Sequence, residues 1–297
     1  MKNLYITILI LTYCISPAQN MKTYTYATKG LDTLKLDVYT PENIKTTDSL
    51  PVIIWMHGGG FSGGSRGGTD EKNIAEFAIA KGYIGVSISY RLLRQGKKSG
   101  FGCNVSKEDK LFTFNQAVLD FLDATNFIYQ NSNMLQVDTT KIIAAGSSAG
   151  AETILNAVYM KSFFISNQTA YKDITFAGII SFSGALLDIN YMTKDNAIPT
   201  VLFHGSEDKA VPFGTAPHQN CSPNKSGYLM LDGSNTIAEK LRILEKSYYF
   251  NIIKGKNHDA ANVQLEELDA AFDFLNKTVF KNEIIQTTKY TLANPTN

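Results

Sequence analysis

Short apolar runs alternate along this chain with longer stretches of helical periodicity. No other feature limits the available folds as strongly. Residues 51–56, 83–90, 141–145, 176–182, 201–204 and 248–253 read as buried strands. Helical segments fall between and after them, at 70–81, 148–160, 237–244 and 263–280. Leu111, Phe114, Val118, Phe121 and Leu122 recur at the spacing of one buried helix face. A strand that is apolar on both faces must be covered on both faces, and helical crossovers do this while making neighbouring strands parallel. Residues 23–28 and 34–39 alternate with period two instead, which predicts an antiparallel hairpin at one edge. The expectation is an α/β fold: a mostly parallel sheet of about eight strands with helices on both faces. It forms one domain over residues 19–297, whose polar tail, 281–297, is loosely held. In such sheets, function gathers in loops at the carboxyl ends of the strands.

Charge and composition narrow the chemistry. The chain has 28 basic and 27 acidic side chains, a formal net charge of +1. That balance lacks the basic surface needed to neutralise phosphates, so no nucleic-acid partner is expected. Apolar residues make up 44%, enough to fill a core and incompatible with a disordered chain. Four histidines and three cysteines leave few ways to build a zinc site. At the N-terminus, Lys2 precedes an apolar run over 4–15 and then Ser16-Pro17-Ala18. This pattern predicts a secretory signal over residues 1–18, cleaved after Ala18. The run is shorter than the roughly 20 residues of a membrane span, so no stable span is expected. A lipoprotein signal ending at Cys14 would want a small residue where bulky Tyr13 stands. A secreted or periplasmic chain without Cys14 keeps Cys103 and Cys221, and an even pair in an oxidising compartment suggests a disulfide. Two separate loop thiols are the alternative.

Two motifs sit where a sheet of this kind carries function. Gly146-Ser147-Ser148-Ala149-Gly150 lies between a strand and a helix. A sharp turn there exposes the central serine, and the helix N-terminus directs free N–H groups toward any developing anion. His57-Gly58-Gly59-Gly60-Phe61 ends an earlier strand. Successive glycines let backbone N–H groups turn into a cavity, where they can hold an oxyanion.

With these motifs the chain resembles the HGGG-type carboxylesterases and lipases of the α/β-hydrolase superfamily. The order HGGGF, G-x-S-x-G, HGxxD, His runs through nearly all of residues 19–297. The resemblance implies that Ser148 is the nucleophile and that the N–H groups of Gly58, Gly59 and Ala149 form the oxyanion hole. It implies that Asp208, in His204-Gly205-Ser206-Glu207-Asp208, is the acid, with Glu207 as its neighbouring rival. It makes His258 the base. Elimination agrees: His57 belongs to the glycine motif, His204 ends a strand, and His218 lies in a mobile-looking loop beside Cys221. Relatives near hormone-sensitive lipase carry an acid directly before the nucleophile, where this chain has Ser147. Little chain is left for a lid beyond 91–107 and 213–233. Phe61 and Arg66, just after the glycines, are candidates for substrate contact, although a solvated surface arginine is the plainer reading of Arg66. Glu152, in the first turn after the nucleophile, reads as structural, since helix dipoles favour an acid there. Tyr90-Arg91 reads as local packing.

The activity so implied is hydrolysis of a small-molecule or carbohydrate ester with no metal or cofactor. A prolyl-oligopeptidase-type peptidase and a non-catalytic hydrolase-fold binding protein are the rival readings.

Overall fold

Elements follow one another in the order that the alternation predicts. The computed structural model describes residues 19–165, 168–263 and 265–292. The expected signal, 1–18, lies outside these residues, as do 293–297. Strands β1 (Gln19–Lys29) and β2 (Asp32–Pro41) form the antiparallel hairpin. Next come β3 (Leu50–Met56), α1 (Thr69–Ala80), β4 (Ile84–Ile88), α2 (Lys107–Gln130) and the short α3 (Ser132–Leu135). Strand β5 (Val137–Ser147) leads into α4 (Ala149–Tyr159) and α5 (Lys161–Phe164). They are followed by β6 (Gly178–Phe182), β7 (Ala185–Leu186), β8 (Thr200–Gly205), β9 (Thr215–Pro217) and β10 (Met230–Gly233). The chain continues through α6 (Ser234–Ile243), β11 (Tyr248–Lys254), α7 (Leu265–Leu275) and β12 (Gln286–Leu292).

Among the described residues the main sheet has nine strands, in the order β1-β2-β4-β3-β5-β6-β8-β11-β12. All pairs from β4 to β12 are parallel, while β1–β2 and β2–β4 are antiparallel. Side-chain alternation explains the two-sided cover. Val52, Ile54 and Met56 of β3 point into the cluster with Phe114, Val118, Phe121 and Ile154. Ile53 and Trp55 point into the other, with Ile74, Ala78, Leu268 and Phe272. A smaller antiparallel sheet, β7-β10-β9, takes β9 and β10 from the two ends of the 213–233 stretch.

Register is what positions the site. Met56 pairs with Gly146, Ser147 with Phe182, and Phe182 with Phe203. The carboxyl ends of β3, β5, β6 and β8 therefore lie side by side, and the loops that leave them share one edge.

Two expectations need correction. The tail is not loose throughout: β12 pairs along the whole of β11, Lys289 binds Glu267 at 2.7 Å, and Thr291 donates to Asn251 Oδ1 at 2.8 Å. An open β11 edge offers unpaired N–H and C=O groups, which a polar, Thr-rich segment can saturate without any apolar pattern. The closing helix is also shorter than 263–280: α7 ends at Leu275, and a wider π-type turn, Asn276–Phe280, follows.

Candidate active site

Ser148 stands at the β5–α4 junction with φ +49° and ψ −121°. Non-glycine residues seldom take such a backbone, so the turn must be held from outside. Ser148 N–H donates to Phe182 O at 2.8 Å, and Ser148 O accepts from Glu152 N–H at 2.8 Å. Gly150 is where α4 crosses the end of β3, since an added Cβ would collide with the carbonyl oxygens of Met56 and His57.

His258 opens a single helical turn after β11. Its Nε2 lies 2.7 Å from Ser148 Oγ, and its Nδ1 lies 2.7 Å from Asp208 Oδ2. A carboxylate only accepts, so Nδ1 carries the proton and Nε2 is free to accept from the hydroxyl. Asp208 Oδ1 accepts from the N–H groups of Ala210 and Val211 at 2.9 and 3.0 Å. His204 Nε2 approaches Oδ2 at 3.3 Å, and its Nδ1 meets Ser234 Oγ at 2.7 Å. Burial works against the charge on Asp208. Hydrogen bonds to His204 and His258 outweigh it and hold the carboxyl well below the usual carboxylate range. Glu207, the rival acid, is exposed. Ser147 donates to Ala261 O at 2.8 Å, which ties the histidine turn to the serine turn. Sequence reasoning noted Ser147 only as a departure and missed this tether.

The glycine loop crosses directly over the serine. An added Cβ on Gly58 would lie 3.0 Å from Ser147 O and 3.1 Å from Ser148 Cβ. Tyr90 hydroxyl donates to His57 O at 3.0 Å and to Gly58 O at 3.3 Å, and His57 Nδ1 meets Gly58 O at 2.7 Å. In a trans peptide the N–H points opposite to the C=O. Anchoring these two carbonyls on Tyr90 and His57 therefore turns the N–H groups of Gly58 and Gly59 the other way. Both glycines line an open cavity of about 750 Å³ together with Ser148 and His258. Ala149 N–H is the first of α4, beside the serine. Tyr90, read as packing, thus shapes the glycine loop, while Arg91 fixes the strand end by a bidentate pair with buried Asp120.

The two proposed substrate contacts are not at the cavity. Phe61 is fully buried and packs on Tyr90, Phe101 and Phe114, because its apolar ring completes the core beneath the loop. Arg66 Nε pairs with Asp37 Oδ2 at 2.9 Å, and this buried carboxylate draws it toward β2. His218 is not in a mobile loop either. It is buried, with Nε2 3.4 Å from Glu152 Oε1 and Nδ1 3.3 Å from Lys110 Nζ. Lys110, also buried, donates to Gly227 O at 2.8 Å. Burial, then the charges of Lys110 and His258, pull the His218 imidazole down to about 3. Burial and the Asp208 charge push the Glu152 carboxyl well up, with Lys110 opposing. The sequence hint to this cluster is a lysine one turn before Phe114 on a buried helix face. Cys103 and Cys221 are disulfide-bonded.

A hydroxyl, an imidazole and a carboxylate in one hydrogen-bonded line, beside inward N–H groups, can remove a proton from the hydroxyl and stabilise an oxyanion. The chain matches the model of the carboxylesterase family over residues 12–203. It is 32% identical over 123 residues to a medium-chain fatty acyl-CoA hydrolase precursor of Anas platyrhynchos, covering 41% of this chain and 20% of that one. To a secreted triacylglycerol lipase of Gibberella zeae it is 28% identical over 170 residues, covering 56% and 27%. The chain thus spans only 20% and 27% of the lengths of these two relatives. A thermophilic esterase of Thermogutta terrifontis superposes with a TM-score of 0.64 at 20% identity, covering 87% of this chain and 92% of that one. The propionate-bound form of that esterase gives 0.62 at 18%, covering 90% and 96%. These likenesses show the α/β-hydrolase fold.

Proposed function

Because the chain belongs to the carboxylesterase family, we propose that it hydrolyses carboxylic esters through an acyl-enzyme on Ser148. The observation that carries this reading is the line Ser148 Oγ–His258–Asp208, with both links at 2.7 Å. His258 Nε2 takes the hydroxyl proton as Oγ attacks the carbonyl carbon. Asp208 holds the imidazole tautomer and stabilises the imidazolium. The N–H groups of Gly58, Gly59 and Ala149 receive the oxyanion. Removing one such donor typically raises the barrier by about 3–4 kcal/mol. The imidazolium then protonates the leaving alcohol, and water repeats the sequence to release the acid.

The substrates are short-chain or carbohydrate-linked acyl esters. Cavity chemistry supports this: Ser65, Asp70, Asp259 and Asn262 line it, with groups that can meet the hydroxyls of such an ester. The Thermogutta terrifontis esterase binds propionate, a short-chain carboxylate, which agrees with a short acyl group. Residues 19–297 act as one catalytic domain outside the cytoplasm, secreted or periplasmic. The N-terminal signal pattern, the Cys103–Cys221 bond and the secreted relative support export. Among the described residues no helix is long and apolar enough to cross a membrane.

The test is turnover of a p-nitrophenyl ester series, acetylated xylan and methyl ferulate by wild type and Ser148→Ala, with fluorophosphonate labelling. Turnover and labelling are expected in wild type and absent in the variant. Wild-type-like turnover in Ser148→Ala would end the assignment. Faster cleavage of dipeptide amides than of esters would favour a peptidase, and no labelling of folded wild type a binding protein. N-terminal sequencing of exported protein should begin at Gln19.

A further inference from the structure

We infer that Gln219 binds a hydroxyl of the leaving alcohol, so that the site prefers esters of polyols to esters of apolar alcohols. This rests on the ester-hydrolase reading above.

Gln219 lines the cavity with Ser148 and His258. Its backbone has φ +58° and ψ 22°, and that of Asn220 has φ +51°. Two successive non-glycine residues in the left-handed region persist only where the surroundings impose them. Here they are imposed from several sides. Gln219 N–H donates to Ala210 O at 2.9 Å, and His218 N–H to Leu229 O at 2.8 Å. The His218 ring is buried against Phe101 at 5.3 Å between centroids. Cys221, two residues on, is bonded to Cys103. The side chain of Gln219 is nevertheless exposed and hydrogen-bonds to no described residue. Glycine would take this backbone without strain. What glutamine adds is an amide, carried beside the cavity by a backbone tethered on both sides.

An amide offers one carbonyl acceptor and two N–H donors, the complement of an alcohol hydroxyl. Among the described residues, carboxylates line the cavity and no lysine or arginine does. That excludes phosphorylated or carboxylated alcohols by repulsion and leaves neutral hydroxyls. The contact with Ala210, two residues past Asp208, puts Gln219 beside the loop that holds the acid. This is the imidazole side of the site, where the leaving alcohol is protonated.

The experiment compares kcat/KM on two acetates that differ only in the alcohol, glycerol monoacetate and butyl acetate, for wild type, Gln219→Ala and Gln219→Gly. Wild type should favour the glycerol ester. In both variants the glycerol-to-butyl ratio should fall about fivefold to tenfold, the scale of one neutral hydrogen bond, mainly through KM. Gln219→Gly should melt close to wild type, since it keeps the backbone and removes only the amide. An unmoved ratio in both variants, in an enzyme active on acetates, overturns the inference alone. So does a ratio that falls only in step with lost thermal stability. A folded wild type that cleaves neither ester and takes no fluorophosphonate label overturns the ester-hydrolase reading and the inference with it.

Discussion

Asp208 carries more of this site than its place beside a histidine suggests. Four groups contact its carboxylate: two backbone N–H groups, His204 and His258. Asp208→Asn should lower kcat about 10³–10⁴-fold, because an amide can no longer hold the imidazole with Nδ1 protonated. A drop of less than tenfold would mean that another group orients His258. Acid stability should change as well. The native carboxyl titrates below its unfolded value, so the unfolded chain binds a proton that the native one refuses. The stabilisation is complete at neutral pH, above the unfolded value, and is lost as pH falls through the acid range. Urea unfolding at pH 7 and pH 3 should therefore show a smaller loss of stability on acidification in Asp208→Asn than in wild type. Equal losses would contradict the assigned network.

At the scale of elements, the site depends on how closely α4 approaches β3. Gly150 makes that approach, and its missing Cβ is the clearance. Gly150→Ala should destabilise by about 1–3 kcal/mol through overpacking against backbone and should lower kcat by displacing Ser148. Thermal melts and steady-state kinetics on the same preparation check this. The edge strand β12 is the opposite case. It lies beyond β11, on the far side of β8 from β5. A chain ending at Ile285 should lose the β11–β12 ladder and the Lys289–Glu267 pair, and so should melt lower. Its kcat on p-nitrophenyl acetate should stay within about twofold of wild type, because β12 pairs with β11 alone among the described strands and lies away from Ser148. A large loss of kcat would show that the edge transmits to the centre.

Across the whole molecule, the Cys103–Cys221 bond joins segments 118 residues apart and spans the Ser148 turn. Closing a loop of that length contributes about 4–5 kcal/mol in the chain-entropy model. Reduction with dithiothreitol, or Cys103→Ser with Cys221→Ser, should lower the urea midpoint accordingly, and an unmoved midpoint would contradict it. Much of this architecture is legible in the chain. Apolar runs, helical spacing and the glycine-flanked serine are local patterns, and local sterics and burial dictate what they form. The hairpin, the parallel sheet and the strand–turn–helix at Ser148 follow from them. Polar β12 was not legible, because its pairing depends on an open edge supplied by β11. Nor was the burial of Phe61, His218 and Lys110, because only the crossovers decide which side chains a loop is packed against. Residue types and their order on the chain thus determined which groups were available for chemistry. The tertiary structure alone decided which of them meet, since a 2.7 Å hydrogen bond between residues 110 apart exists only once strand register and loop length have brought their ends to one edge.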